Sequence, residues 1–209
     1  MLLELAWRSL WNRRVSALLA LLSVMLSVAV VVGVEHIRSE ARESFTRTIS
    51  GVDLVVGART SQLNLLLYTV FRIGSAANSV GWDSYELVSA DPRVAWSIPL
   101  VLGDSHRGYR VLGTTDAYFA HYRYGSGTAL VFGSGAAFGA GNEAVLGSEA
   151  ARRLGYRVGS ELELAHGLVS TDFSLHTGAR FVVTGILQPT GTPVDQTVHV
   201  WLGALEALH

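Results

Sequence analysis

The sequence predicts an α+β protein standing behind one N-terminal membrane helix that continues as a stalk. Three observations carry that class. An uncharged apolar run, VSALLALLSVMLSVAVVVGV, fills Val15–Val34. Behind it, short segments with strand character alternate with short helical ones, punctuated by Gly and Pro. Cysteine is absent, so no disulfide framework stands in for a hydrophobic core.

The apolar run comes first. As a helix its length is about 30 Å, the thickness of a bilayer's hydrocarbon core. A buried soluble helix of that length carries a polar stripe, whereas the polar side chains here are only Ser16, Ser23 and Ser27. A secretion signal has an apolar region of about 7–15 residues and a small-residue cleavage site, and Val-Val-Gly-Val-Glu is a poor one. The reading is therefore an uncleaved span at 15–34. Arg8, Arg13 and Arg14 precede it and predict a cytoplasmic N-terminus with the bulk of the chain exported. Arg38, Arg42 and Arg47 on the other side are interleaved with Glu35, Glu40 and Glu43.

Residues 1–14 form an amphipathic segment before the span. Leu3, Trp7, Leu10 and Trp11 share one helical face, and Glu4, Arg8 and Asn12 another. Such a helix suits the cytoplasmic interface of a bilayer, either as an extension of the anchor or as a docking surface for a cytoplasmic partner. After the span, Ile37, Ala41, Phe45 and Ile49 recur every four residues, so the helix is expected to run on as a stalk over 35–50, with Gly51 as its stop. A stalk can transmit motion between its ends; it can also be a spacer.

The exported part, 51–209, is read in order. VDLVVGA at Val52–Ala58 reads as a buried strand, and Ser61–Gly74 as an apolar segment too short to span, packed on the core or exposed to a lipophilic or protein partner. A short helix is expected over GWDSYELVSADPRV, with Asp83 or Ser84 near its cap and Asp91-Pro92 closing it. AWSIPLVLG and GYRVLGTT read as strands around the turn GDSHRG, and TDAYFAHYRYG as one helical turn. The Gly-rich stretch GSGTALVFGSGAAFGAGNE breaks the chain near residue 140. Beyond it come a strand at Ala144–Leu146, a helix at Glu149–Leu154, a turn at Gly155–Gly159, and strands at Glu161–Ala165, Arg180–Ile186 and Val198–Leu202. A helix is expected to begin within 204–209.

Composition and motifs exclude several functions. The net charge of -1 and sequence pI near 6.7 give no electrostatic footprint for nucleic acid. All 16 basic residues are Arg, which reads as genome composition. There is no phosphate-binding loop, no nucleophile elbow and no HExxH, and GSGAAFG at Gly133–Gly139 has the wrong spacing for a dinucleotide fingerprint. No enzyme activity and no cofactor is expected. His166, Asp172 and His176, in HGLVSTDFSLH, are the one weak candidate set for a metal; their spacing matches no recognised signature, and ordinary loop histidines are the favoured reading.

The order of these features resembles the MacB-like permeases, the FtsX-type subunits of ABC transporters. LAWRSLWNRRVSALLALLSVMLSVAVVVGV looks like their opening, and SGVDLVVGAR, YRVLGTTDAYF, EAVLGSEAARRLGYRVGSELEL, FVVTGILQPTGTPVD and VHVWL look like pieces of their periplasmic core domain. The resemblance implies a two-lobed α+β periplasmic domain, the second lobe inserted from about 140, so that first and last segments pair. It implies a permease dimer in the bacterial inner membrane and a separate cytoplasmic ATPase near Trp7, Arg8, Trp11, Arg13 and Arg14. ATP-driven closure would pass up the stalk to a periplasmic domain that extrudes or releases a substrate. Such permeases continue with three further spans, so a chain ending at His209 is expected to be either a fragment of a longer permease or a truncated gene product. The alternative is a single-span, membrane-anchored binding or scaffold domain, possibly metal-handling.

Overall fold

The structure, a computed structural model, describes residues 11, 13–74, 78–139, 141–166 and 175–206; within these, the side chains of 41–47, 165–166, 175–179 and 206 are not described. Residues up to Ser44 and residues from Phe45 to His209 form two compact units.

The first unit is dominated by helix α1, Arg14–Thr48, 35 residues and about 52 Å of rise. Within it the stretch Arg14–Glu40 is long and apolar enough to cross a membrane, and none of it is buried by the protein itself. Val15, Leu18, Leu22, Met25, Leu26 and Val31 are exposed on every face of the helix. A helix apolar all round and covered by no protein needs an apolar solvent. Ser27 returns its hydroxyl to the Ser23 carbonyl at 2.8 Å, which removes a polar cost from the run.

The second unit is built on one seven-stranded sheet. Its strands are β1 Val101–His106, β2 Tyr109–Thr114, β5 Phe132–Gly135, β6 Glu143–Leu146, β7 Glu161–His166, β8 Leu175–Leu187 and β9 Thr197–Trp201; β3 Arg123–Tyr124 and β4 Thr128–Ala129 make a separate hairpin. The order is β5-β8-β6-β9-β2-β1-β7, and β7 pairs back onto β8, so six of the strands close into a ring. The long β8 makes this possible: its residues from Leu175 to Val182 face β7, and those from Val182 to Ile186 face β6. β2 runs parallel to β9, Arg110 beside Thr197 and Thr114 beside Trp201, which joins a strand before the Gly-rich break to the last strand. The break itself, expected as the start of an inserted lobe, falls between β5 and β6 on this same sheet.

The helices are α2 Gln62–Thr69, α3 Trp82–Ser89, α4 Ala117–His121, α5 Ser148–Leu154 and α6 Leu202–Glu206, with a 3-10 turn at Pro193–Gln196. α5 begins at Gly147, where an added Cβ would lie 2.1 Å from the Val194 carbonyl oxygen, so only glycine lets the helix start against that turn. It ends at Gly155 in the left-handed conformation, the usual helix stop.

β2, β6 and β9 are buried on both faces, so alternate residues feed two cores. Val111, Ala144, Leu146, Val198 and Val200 join Leu162, Leu164, Phe181 and Val183 in an aliphatic cluster drawn from five of the six ring strands. Leu112 and Val145 point the other way, into a cluster with Tyr118, Phe119, Tyr122, Phe138 and Leu187.

Four sequence expectations are corrected; in the first, Ala95–Leu100 of AWSIPLVLG form no strand, and β1 begins only at Val101. Val52–Ala58 forms no strand, and Leu54 and Val56 are exposed, because no neighbouring strand among the described residues takes up its backbone. The expected turn GDSHRG shrinks to Arg107-Gly108, both with positive φ, and Gly103–His106 continue β1. The Gly-rich stretch contains β5: Gly135 takes φ +69, and a Cβ there would lie 2.0 Å from the Thr184 carbonyl oxygen, so its glycines serve a bulged edge strand as well as loops. Elsewhere β6, α5, β7, β9 and α6 lie within two residues of where the sequence puts them, β8 reaches further back, to Leu175, and α1 ends at Thr48.

Candidate functional site, the junction at the end of the long helix

The last turn of α1 belongs to the second unit, and it is tied down there. Thr48 is buried and Ile49 packs against the aromatic cluster. The Ser50 N–H donates to the Arg123 carbonyl at 2.9 Å. The Tyr122 hydroxyl donates to the Thr48 carbonyl. That carbonyl lies in the last turn of α1, among the groups no helical N–H satisfies, so the tyrosine caps the helix from outside.

Local sequence explains why a tyrosine is there. Asp116 starts α4 by accepting from the Ala117 N–H at 3.0 Å. One helical turn then puts Tyr118 and Tyr122, four residues apart, on one face. Their rings stack at 4.8 Å and 28°. Tyr118 sits 5.2 Å from the His199 ring, and Phe119 packs edge-on against Phe138 and His199.

Arg72 reaches the same tyrosines from α2. That helix is capped by Ser61, whose hydroxyl accepts from the Asn64 N–H at 3.2 Å. Beyond its end Arg72 takes φ 60, a left-handed conformation that costs a non-glycine residue. Its side chain is buried, with the residue only 8% exposed. One guanidinium nitrogen donates to the Thr69 carbonyl and another to the Tyr118 hydroxyl at 3.3 Å, while Nε has no partner among the described residues. No described carboxylate pairs with it. Tyr68 donates to the Leu102 carbonyl and Arg110 to the Gly74 carbonyl, two further polar ties around the α2 segment.

Arg72 carries the charge of this cluster. Burial pushes the Tyr118 phenol up against the opposing pull of Arg72, and burial with the neighbouring Tyr118 pushes Tyr122 up as well. His199 is held down to about 3, by burial first and then by the Arg72 cation, with the Val145 carbonyl opposing. Its neutral ring donates from Nδ1 to that carbonyl at 3.2 Å, and Nε2 has no partner among the described residues. His106 is lowered in the same direction, by burial first; it sits between the Glu163 carbonyl, to which Nδ1–H donates, and the Tyr156 hydroxyl, which donates to Nε2 at 2.9 Å.

The residues singled out from sequence are placed as follows. Trp11 and Arg13 are exposed ahead of α1 and Arg14 is exposed as its first residue, while Trp7 and Arg8 lie outside the described residues. Ile37 is 70% exposed, Ala41 and Phe45 lie on α1 with side chains outside the description, and Ile49 sits one residue past the helix end in the aromatic cluster. His166 is on β7 and His176 on β8; their side chains and all of Asp172 lie outside the description. Among the described residues no group of three or more His, Asp or Glu could hold a metal ion. Sequence reasoning passed over Arg72, Tyr118, Tyr122 and His199. Two signals were present: an arginine inside the apolar run Leu63–Ile73, and the four-residue spacing of the tyrosines in YFAHYRY. What such an arrangement can do is hold a helix end through one backbone carbonyl and one amide.

No curated protein matches the chain. The extracellular domain of the noncanonic ABC-type transporter YknZ from Gram-positive bacteria is similar at 11% identity and a TM-score of 0.40, over 61% of this chain and 65% of that one. This chain therefore spans less than two thirds of that domain, and a likeness at that score carries no weight. The sequence profile of the MacB-like periplasmic core domain matches residues 17–207, from inside α1 to the end of α6. With nine-tenths of its length so matched, the chain belongs to the MacB-like periplasmic core domain family of ABC transporter permeases.

Proposed function

We propose that this chain is the N-terminal part of an ABC transporter permease, in which α1 anchors the protein in the bacterial inner membrane and links a cytoplasmic ATPase to the exported domain. The observation that carries the reading is the junction: the end of α1 is held by Tyr122 and Arg123 inside a sheet domain of the permease family. A helix joined so firmly to a folded domain moves that domain when it moves. In this reading Trp7, Arg8, Trp11, Arg13 and Arg14 lie on the ATPase side, a second permease copy completes the assembly, and the exported domain extrudes or releases a periplasmic substrate. The chain itself is not the enzyme; the hydrolysis belongs to the ATPase. The exposed apolar residues Leu63 and Ile73 favour a lipophilic or protein substrate.

Because the chain has no cysteine, single-cysteine labelling tests the topology cleanly. With Ser160→Cys, a membrane-impermeant maleimide is expected to label intact spheroplasts; with Arg13→Cys, labelling should require lysis. The reverse pattern overturns the orientation. Affinity purification of the membrane-extracted chain with its co-expressed neighbouring genes is expected to recover an ATPase. Failure to recover one, with the domain binding a ligand alone, favours the anchored binding or scaffold domain instead.

A further inference from the structure

The α2 segment is docked by a residue that carries two costs. Arg72 is held in left-handed backbone, and its cation is buried against neutral acceptors only: the Thr69 carbonyl and the Tyr118 hydroxyl. Buried arginines are normally paired with a carboxylate, and none of the described residues supplies one. Strain of this kind persists where the surroundings over-determine it, and it marks elements that switch. The neighbours matter too. Tyr118, which holds Arg72, stacks on Tyr122, which holds the Thr48 carbonyl. One short helix, α4, with Tyr122 as its C-cap, thus carries both grips.

We propose that Arg72 is a releasable latch on the α2 segment, residues 62–72, and that the Tyr122–Thr48 contact sets its stability. When the end of α1 shifts, Tyr122 loses its acceptor, the stacked Tyr118 moves with it, and Arg72 loses the hydroxyl that holds it. Out of the core, the guanidinium regains water and Arg72 is free to leave its left-handed conformation. The segment then lifts as a unit and exposes Leu66, Leu67, Tyr68 and Val70, which are partly or fully buried when it is docked. The inference deepens the proposed function: it rests on the end of α1 being the point of load, and it says what that load releases.

Hydrogen exchange on the whole chain in nanodiscs, without ATPase or nucleotide, tests it. Tyr122→Phe keeps the ring and removes the grip on Thr48; it is expected to speed amide exchange over 62–72 by about tenfold, the worth of one hydrogen bond, while β6 and β9 keep their protection. Arg72→Met removes the buried charge and is expected to slow exchange over 62–72; adding Tyr122→Phe to that variant should no longer reach α2. If Arg72→Met fails to fold, shown by lost protection of β6 and β9, Tyr118→Phe replaces it: it keeps the stack, frees Arg72, and is expected to speed exchange over 62–72 alone. The latch is overturned if Tyr122→Phe leaves 62–72 unchanged or speeds the sheet equally. It is also overturned if Arg72→Met speeds 62–72 with the sheet intact, for Arg72 is then only an anchor. Because no ATPase is present, failure here leaves the permease reading standing, and an ATPase-free result in the purification leaves the latch standing.

Discussion

The two faces of the sheet are built from the same strands and are chemically unlike. On one face β2, β6 and β9 present Val111, Ala144, Leu146, Val198 and Val200 to an aliphatic cluster closed by Leu162, Leu164 and Phe181. On the other, the residues between them, Leu112, Val145 and His199, meet Tyr118, Phe119, Tyr122 and the Arg72 cation. The buried residues of the first face are all apolar. The second receives the end of α1, and its polar groups are only partly satisfied. Aliphatic packing and the joint with α1 thus lie on opposite sides of one sheet.

The largest expected effect breaks the first face. Phe181→Ala should cost about 4 kcal/mol in urea unfolding of the chain in detergent, with the sheet lost in one transition. A loss below about 1 kcal/mol would mean that the aliphatic face does not hold the domain. Acid should attack the second face. Free histidine binds a proton near pH 6.5, whereas buried His199 binds one only near 3, so between those values the unfolded chain holds more protons and stability falls as pH falls. From pH 7 to pH 5 the loss from His199 is about 2 kcal/mol, with His106 adding to it in the same direction. His199→Phe should flatten that slope; an unchanged slope removes His199 as its source.

How far the sequence could anticipate this contrast depends on the residue. Alternation reveals a strand with one wet face, and VHVW in β9 has none because both faces are dry. The strand was legible from Val198, Val200 and the flanking turns, but nothing in that spacing says His199 faces a tyrosine from α4. α1 was legible from composition as far as Val34 and from the four-residue recurrence of apolar residues beyond it. The apolar run VDLVV misled for the opposite reason: β character is a statement about a pleated, half-buried surface, and Leu54 has none to sit on. Arg72 is visible in the sequence, but its burial depends on Tyr118, 46 positions away.

Tyr118→Phe makes a finer cut. It removes one acceptor from Arg72 and leaves the stack, so thermal unfolding should register a loss of about 1 kcal/mol. A change as large as that of Phe181→Ala would show the two faces to be one cooperative core. The smallest effect is expected on the outward side of β7 and β8, where Arg180 meets Glu161 at 3.3 Å in water. Glu161→Gln should change stability by less than about 0.5 kcal/mol, and any excess should vanish in salt.

The ring also dictates an order of events. β2 can pair with β9 only when a strand about ninety positions later in the chain has arrived, and β8 must bridge β6 and β7 before the circle is complete. A polypeptide made from its N-terminus therefore places its anchor long before its domain can close. During that interval β2 has a bare edge, and the chain is held at one end while it waits. Non-local pairing of this kind folds slowly. For this domain slowness is a period in which the edge of β2 stays open, a window that shuts when Trp201 settles beside Thr114.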